Sequence, residues 1–128
     1  MFGSFPIIAC VATRDPEDAK KFYRDVLGLP LIREDSFALL FDANGTTLRL
    51  TIVQDVAPAK YAVAAWQVPD ILAAVNYLEK AGVKIKKFPN FKDQDERGIW
   101  TAADGSRVAW FTDPDGNMLS MTQPTGKL

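Results

Sequence analysis

The sequence contains no histidine and a single cysteine, Cys10. Without imidazole there is no Ser-His-Asp triad, no Cys-His pair and no His-ligated zinc. One thiol cannot close an intrachain disulfide or build a thiolate zinc site, which fits a reducing compartment. Basic residues number 15 against 16 acidic ones. No stretch gathers Lys or Arg into a face broad enough for a phosphate backbone, so nucleic acid is not an expected partner. No apolar run approaches the ~20 residues that span a bilayer. The opening MFGSFPIIACVAT lacks a basic start and reads as a first strand rather than a signal peptide. These absences lead to the expectation of a soluble, cytoplasmic protein with no membrane partner.

What is present is an ordinary globular mix, 48% apolar and 24% charged over 128 residues, which suits one domain spanning 1–128. The chain is written twice. DPEDAKKFYRDVLG at 15–28 and DILAAVNYLEKAG at 70–82 both follow a β-rich segment, IIACVAT at 7–13 and VAAWQV at 63–68. Both lead into another, LPLIRE at 29–34 and VKIKKF at 83–88. Asp15 and Asp70 are good helix N-caps, and Pro16 suits the first helical position. Ala19, Phe22, Tyr23, Val26 and Leu27 make one apolar stripe, and Ile71, Ala74, Val75 and Leu78 make the other. Gly28 and Gly82 can take the left-handed conformation that ends a helix. Each half then closes on a hairpin, 37–53 around Asn44-Gly45 and 107–122 around Asp115-Gly116. Module 1 therefore runs from about 5 to 53, a linker covers 54–61, and module 2 runs from about 61 to 124. NFKDQDERG at 90–98 is polar and reads as a surface loop. Glu96 and Arg97 on it suggest a lid pair or a solvated ion pair.

A duplicated βαβββ unit of this kind resembles the vicinal oxygen chelate superfamily, which includes the glyoxalases, the bleomycin resistance proteins and the extradiol dioxygenases. The closest pieces are DPEDAKKFYRDVLGL at 15–29 and VAWFTDPDGNMLSM at 108–121. The resemblance implies an α+β fold, with the two modules forming an open eight-stranded mixed cup and the helices outside. It also implies a homodimer. In metal-binding members, four inward side chains, usually His and Glu, hold a divalent ion. The resemblance places those positions here at Ile8, Arg49, Val63 and Ser120. Two are hydrocarbons, one is a permanent cation and one a neutral hydroxyl, so we expect no metal and no cofactor. Asp113-Pro-Asp115-Gly-Asn117 begins like a calcium loop, but Met118 and Pro124 stand where such a loop requires Gly and Glu. A turn is the better reading.

On that geometry, strand alternation turns Ile8, Cys10, Ala12, Val63, Ala65, Gln67, Thr47, Arg49, Thr51, Met118 and Ser120 into the cup. Arg49 has two readings: a guanidinium placed to grip a carboxylate, phosphate or enolate oxygen, or a rim residue with its head in water. Cys10 is either a reactive thiol or a small hydrophobe. Trp100 and Trp110 either stack on a flat ligand or pack. The candidate ligand-binding residues are thus Ile8, Cys10, Arg49, Val63, Gln67, Trp100, Trp110, Met118 and Ser120, and no catalytic residue is assigned. The expected function is metal-independent binding of a planar or anionic small molecule. The alternative is a glyoxalase- or dioxygenase-like enzyme (lyase, isomerase or oxygenase), with an atypical metal site or metal-free. In the metal-free form Arg49 would be the oxyanion stabiliser and Glu96 the base.

Overall fold

The computed structural model describes residues 1–126 and has an α+β fold of two βαβββ modules. A short 3-10 turn, Phe2–Ser4, precedes β1 (Ile8–Thr13). Helix α1 (Pro16–Lys20) runs directly into a π-helical segment, Lys21–Val26, and β2 (Leu31–Glu34), β3 (Ala38–Ala43) and β4 (Thr46–Ile52) follow. The second module contains β5 (Ala64–Gln67), α2 (Ile71–Lys80), β6 (Trp100–Thr101), β7 (Arg107–Thr112) and β8 (Met118–Gln123). The strands form two four-stranded sheets, ordered β1-β4-β3-β2 and β5-β8-β7-β6. In each, the first strand pairs parallel to the last and the other pairings are antiparallel. No helix among the described residues is long and apolar enough to cross a membrane.

The chain divides into two compact units. The first comprises residues 1–58 together with Asp113–Asn117, the loop between β7 and β8. The second comprises residues 59–112 and the chain from Met118 onward. In the first unit Asp15 caps α1, its carboxylate accepting from the N–H groups of Glu17 and Asp18. Gly28 ends the helical segment at φ 78°, which a residue bearing Cβ would adopt only with strain. The single helix read over 16–27 is in fact divided: Leu27 N–H bonds to Phe22 O, five residues back, which is the wide π-type spacing. The apolar stripe still reaches the core, with Ala19, Phe22 and Tyr23 buried alongside Val11, Leu39, Phe41, Leu48 and Leu50.

In the second unit Asp70 caps α2 through Ala73 N–H, and Ile71, Val75 and Leu78 are buried where the helix lies on β7 and β8. Two expectations fail here. Residues 83–88 do not form a strand. The edge of β7 is shared instead. Trp100 and Thr101 pair with Val108 and Arg107, and Lys86 N–H makes one bond to Trp110 O. The turn closing β6 onto β7 is short, with Ala102 N–H to Ser106 O and Gly105 N–H to Ala102 O. Closing it costs less chain entropy than bringing back a distant segment. The second correction concerns 90–98, which is more than a polar surface loop. Phe91 packs on aromatic neighbours, and Gln94 accepts from Phe88 N–H while donating to the carbonyls of Lys86 and Gly98.

Candidate functional site

In each sheet the pleat separates a buried face from an open one. On the first sheet, Val11, Leu39, Phe41, Leu48 and Leu50 are buried. The opposite face carries Ile8, Cys10, Leu40, Thr47, Arg49 and Thr51, aligned by the pairings Ile8↔Thr47, Cys10↔Arg49 and Leu40↔Arg49. A groove of about 480 Å³ lies on this face, within the usual size range of small-molecule sites. Its floor is Ile8, Ala38, Leu40, Thr47, Arg49 and Thr51, and its wall is Arg33, Asp35 and Phe37. Ile8 is 48% exposed and Phe37 77% exposed, so apolar surface is available for contact.

Arg49 is half-buried in this groove. Its Nη2 donates to Cys10 Sγ at 3.4 Å. Among the described residues no carboxylate forms an ion pair with it. Cys10 is an exposed free thiol whose Sγ lies 3.8 Å from Ile8 O. Ile8, Cys10 and Arg49 are therefore neighbours on one sheet face. Sequence reasoning missed Arg33, Asp35 and Phe37. Asp35 accepts from Phe37 N–H at 2.8 Å and Ala38 N–H at 3.0 Å. These bonds, opposed by desolvation and aided by Arg33, hold its carboxyl below the usual aspartate range.

On the second sheet, the pairings Ala65↔Ser120, Trp110↔Ser120 and Trp100↔Val108 put Ser120, Trp110 and Trp100 on one face. Met118 shares it by alternation along β8. Ser120 is only 5% exposed. Val63 immediately precedes β5, its N–H bonded to Met118 O, and Gln67 is exposed at the end of that strand. Trp100 and Trp110 have ring centroids 6.4 Å apart and share Phe91, at 5.5 and 5.6 Å, while Phe88 packs edge-on to Trp110 at 5.6 Å. The two tryptophans thus pack on each other and on phenylalanines. Trp110, Phe88 and Phe91 also line an open groove of about 710 Å³ with Lys60, Tyr61 and Lys92. Glu96 and Arg97 do not form a pair of their own. Arg97 reaches Glu79 and Asn76 on α2.

The DPDGN loop belongs to the first unit and is held there through its side chains. Asp113 accepts from Tyr23 OH at 2.6 Å, from Asn117 Nδ2, and from the N–H groups of Asp115 and Asn117. Asp115 accepts from Thr13 Oγ1 at 2.6 Å and Arg14 N–H at 3.1 Å. Asn117 Nδ2 also donates to Ala12 O. Every carboxylate oxygen of the two aspartates already has a protein donor. Desolvation, followed by the nearby Asp113 carboxylate, pushes the buried Tyr23 phenol well above its ordinary range.

The four positions that the resemblance marks as metal-bearing supply one oxygen, the mostly buried Ser120 hydroxyl. Ile8 and Val63 have no lone pairs, and Arg49 is a cation with no acceptor. This donor set does not fit a divalent ion. Among the described residues no group of three or more Cys, Asp or Glu gathers as a metal-binding cluster elsewhere.

Solved structures show the same architecture. The lactoylglutathione lyase of Agrobacterium tumefaciens is 17% identical, with a TM-score of 0.73 over 94% of this chain and 93% of that one. The oxidase ChaP-H2 is 24% identical, TM-score 0.70, covering 94% and 93%. A glyoxalase/bleomycin resistance protein/dioxygenase superfamily member from Sphaerobacter thermophilus is 21% identical, TM-score 0.71, covering 94% and 98%. At these identities the likeness establishes the fold alone. No curated protein matches the chain. The profile of the glyoxalase/bleomycin resistance protein/dioxygenase superfamily matches residues 7–121, nearly the whole sequence. With the duplicated βαβββ modules, each carrying a four-stranded sheet, that match places the chain in this superfamily.

Proposed function

We propose that this protein binds a small organic anion in the groove on its first sheet, with Arg49 as the anchor and no metal ion. One observation carries the reading: a half-buried guanidinium on an open sheet face, beside apolar surface, with no carboxylate paired to it among the described residues. Such a group suits bidentate capture of a carboxylate or phosphate. Ile8, Leu40 and Phe37 supply the apolar contact that most ligand sites rely on. The enzymatic alternative gains no support from Glu96, which is an exposed loop residue.

The test is a thermal-shift screen of small carboxylic acids and phosphates with EDTA present. A true ligand at a hundredfold excess over its Kd stabilises the folded state by about 2.7 kcal/mol. Arg49→Gln should weaken binding at least about tenfold, because a hydrogen bond to a charged group is lost. Stabilisation that appears only when a divalent cation is added, or binding unchanged in Arg49→Gln, would refute the proposal.

A further inference from the structure

The groove holds a second guanidinium, and a local irregularity in the sheet puts it there. Strands β2 and β3 pair as Leu31↔Phe41, then Arg33↔Leu40 and Glu34↔Leu39, so Ile32 is one extra residue in β2. In an unbroken register Arg33 would fall opposite Leu39, whose side chain is wholly buried, and Glu34 would fall opposite Ala38 on the open face. The bulge reverses both. Arg33 joins the groove. Glu34 turns to the helix side, where Lys20 Nζ meets it at 3.1 Å. Ile32 itself is 56% exposed. Bulges commonly re-aim a side chain beside a functional site.

The pairings Arg33↔Leu40 and Leu40↔Arg49 leave one strand between the two arginines. At the usual strand spacing their Cα atoms are about 10 Å apart, and both residues line the same groove with Leu40 between them. Among the described residues Arg33, like Arg49, forms no ion pair. The one carboxylate on the groove wall, Asp35, is bonded through Oδ1 to two backbone N–H groups.

We infer that the bulge aims Arg33 at a second acidic group, so that the groove takes an organic diacid with a compact apolar body. One acid group meets Arg49, the other meets Arg33, and the body rests on Leu40 beside Phe37. This rests on the reading of Arg49 as the anchor. Benzoate and isophthalate are suitable probes, since they share a ring and differ by one carboxylate. Calorimetric titration of the intact protein should show isophthalate binding at least about tenfold tighter than benzoate. Arg33→Gln should remove that preference. Arg49→Gln should weaken both acids. Equal affinity for the two acids in the wild type, or a preference that survives in Arg33→Gln, would overturn the inference and leave the anchor role of Arg49 standing. Failure of either acid to bind the wild type would overturn the inference, whereas the proposed function falls only if the wider acid screen also fails.

Discussion

Tyr23→Phe tests whether the β7–β8 loop is fastened by side chains as the structure shows. The substitution removes only the hydroxyl, so no sizeable cavity opens. The ring keeps its edge-on contact with Phe22 at 5.2 Å and its packing on Phe41 at 5.8 Å. What is lost is one hydrogen bond to a buried carboxylate, in a class worth about 1.5–3 kcal/mol. Asp113 retains three N–H donors, from Asp115, Asn117 and the Asn117 side chain. That keeps the cost near the lower half of the range, about 2 kcal/mol. For a chain of 128 residues the unfolding entropy is about 0.27 kcal/mol/K, so the melting temperature should fall by about 7 °C. The pH dependence separates this bond from general packing. Folding raises the Tyr23 pKa through burial and the Asp113 carboxylate. The stability tied to its proton is therefore complete below the unfolded value near 10. It is lost above that value, at about 1.4 kcal/mol per pH unit, because the unfolded chain ionises while the folded one cannot. Urea denaturation of both proteins should show a gap of about 2 kcal/mol at pH 7 that shrinks above pH 10 and vanishes near pH 11.5. A gap under about 0.5 kcal/mol at pH 7, or one that stays constant to pH 11, would mean that the phenol does not reach Asp113.

Two further outcomes follow from the groove. Cys10 is the only thiol and is exposed, so an aromatic disulfide reagent should titrate one thiol per native chain. Because Cys10 Sγ touches the Arg49 guanidinium, a bound acid at ten times its Kd should slow that reaction about tenfold, in proportion to the free protein remaining. An unchanged rate with a ligand known to bind would place that ligand away from Arg49. Asp35→Asn keeps the acceptor oxygen that Phe37 and Ala38 use while removing a negative charge from the groove wall. Isophthalate affinity should rise about threefold, the size of a unit-charge interaction across several ångströms of water. No change, measured by calorimetry at low salt, would show that the acid does not lie near Asp35.

The duplicated plan was legible because its signals are local. Asp15 and Asp70 each cap a helix from the adjoining residue, and Asn44-Gly45, with φ 52° and 95°, makes the tight turn its sequence names. Strand alternation gave the faces, since a period of two is written directly in the residues. What escaped has no local signature. LIRE contains neither Gly nor Pro to mark a bulge, so Arg33 read as an ordinary surface residue. DPDGN looked like a simple turn because its partners, Thr13 and Tyr23, lie 102 and 90 residues away. Glu96 and Arg97 looked like a pair because they are adjacent, yet Arg97 reaches back to α2. VKIKKF had a plausible strand composition but competed for the edge of β7 with a segment much closer along the chain.

The chemistry of the first sheet follows from the side chains on its open face. A divalent ion brings two positive charges to one point. Arg33 and Arg49 together bring the same two charges, but spread over opposite sides of β3 and fixed in direction by the planar guanidinium. A point charge can polarise one carbonyl or bind two neighbouring oxygens. Two separated guanidiniums hold acid groups apart and leave the atoms between them on Leu40, an apolar floor that offers no proton and no lone pair. Arg33 takes its place on this face through the irregularity at Ile32. Deleting Ile32 would close the bulge with Arg33 still opposite Leu40 and Glu34 still opposite Leu39, so both positive charges should stay in the groove.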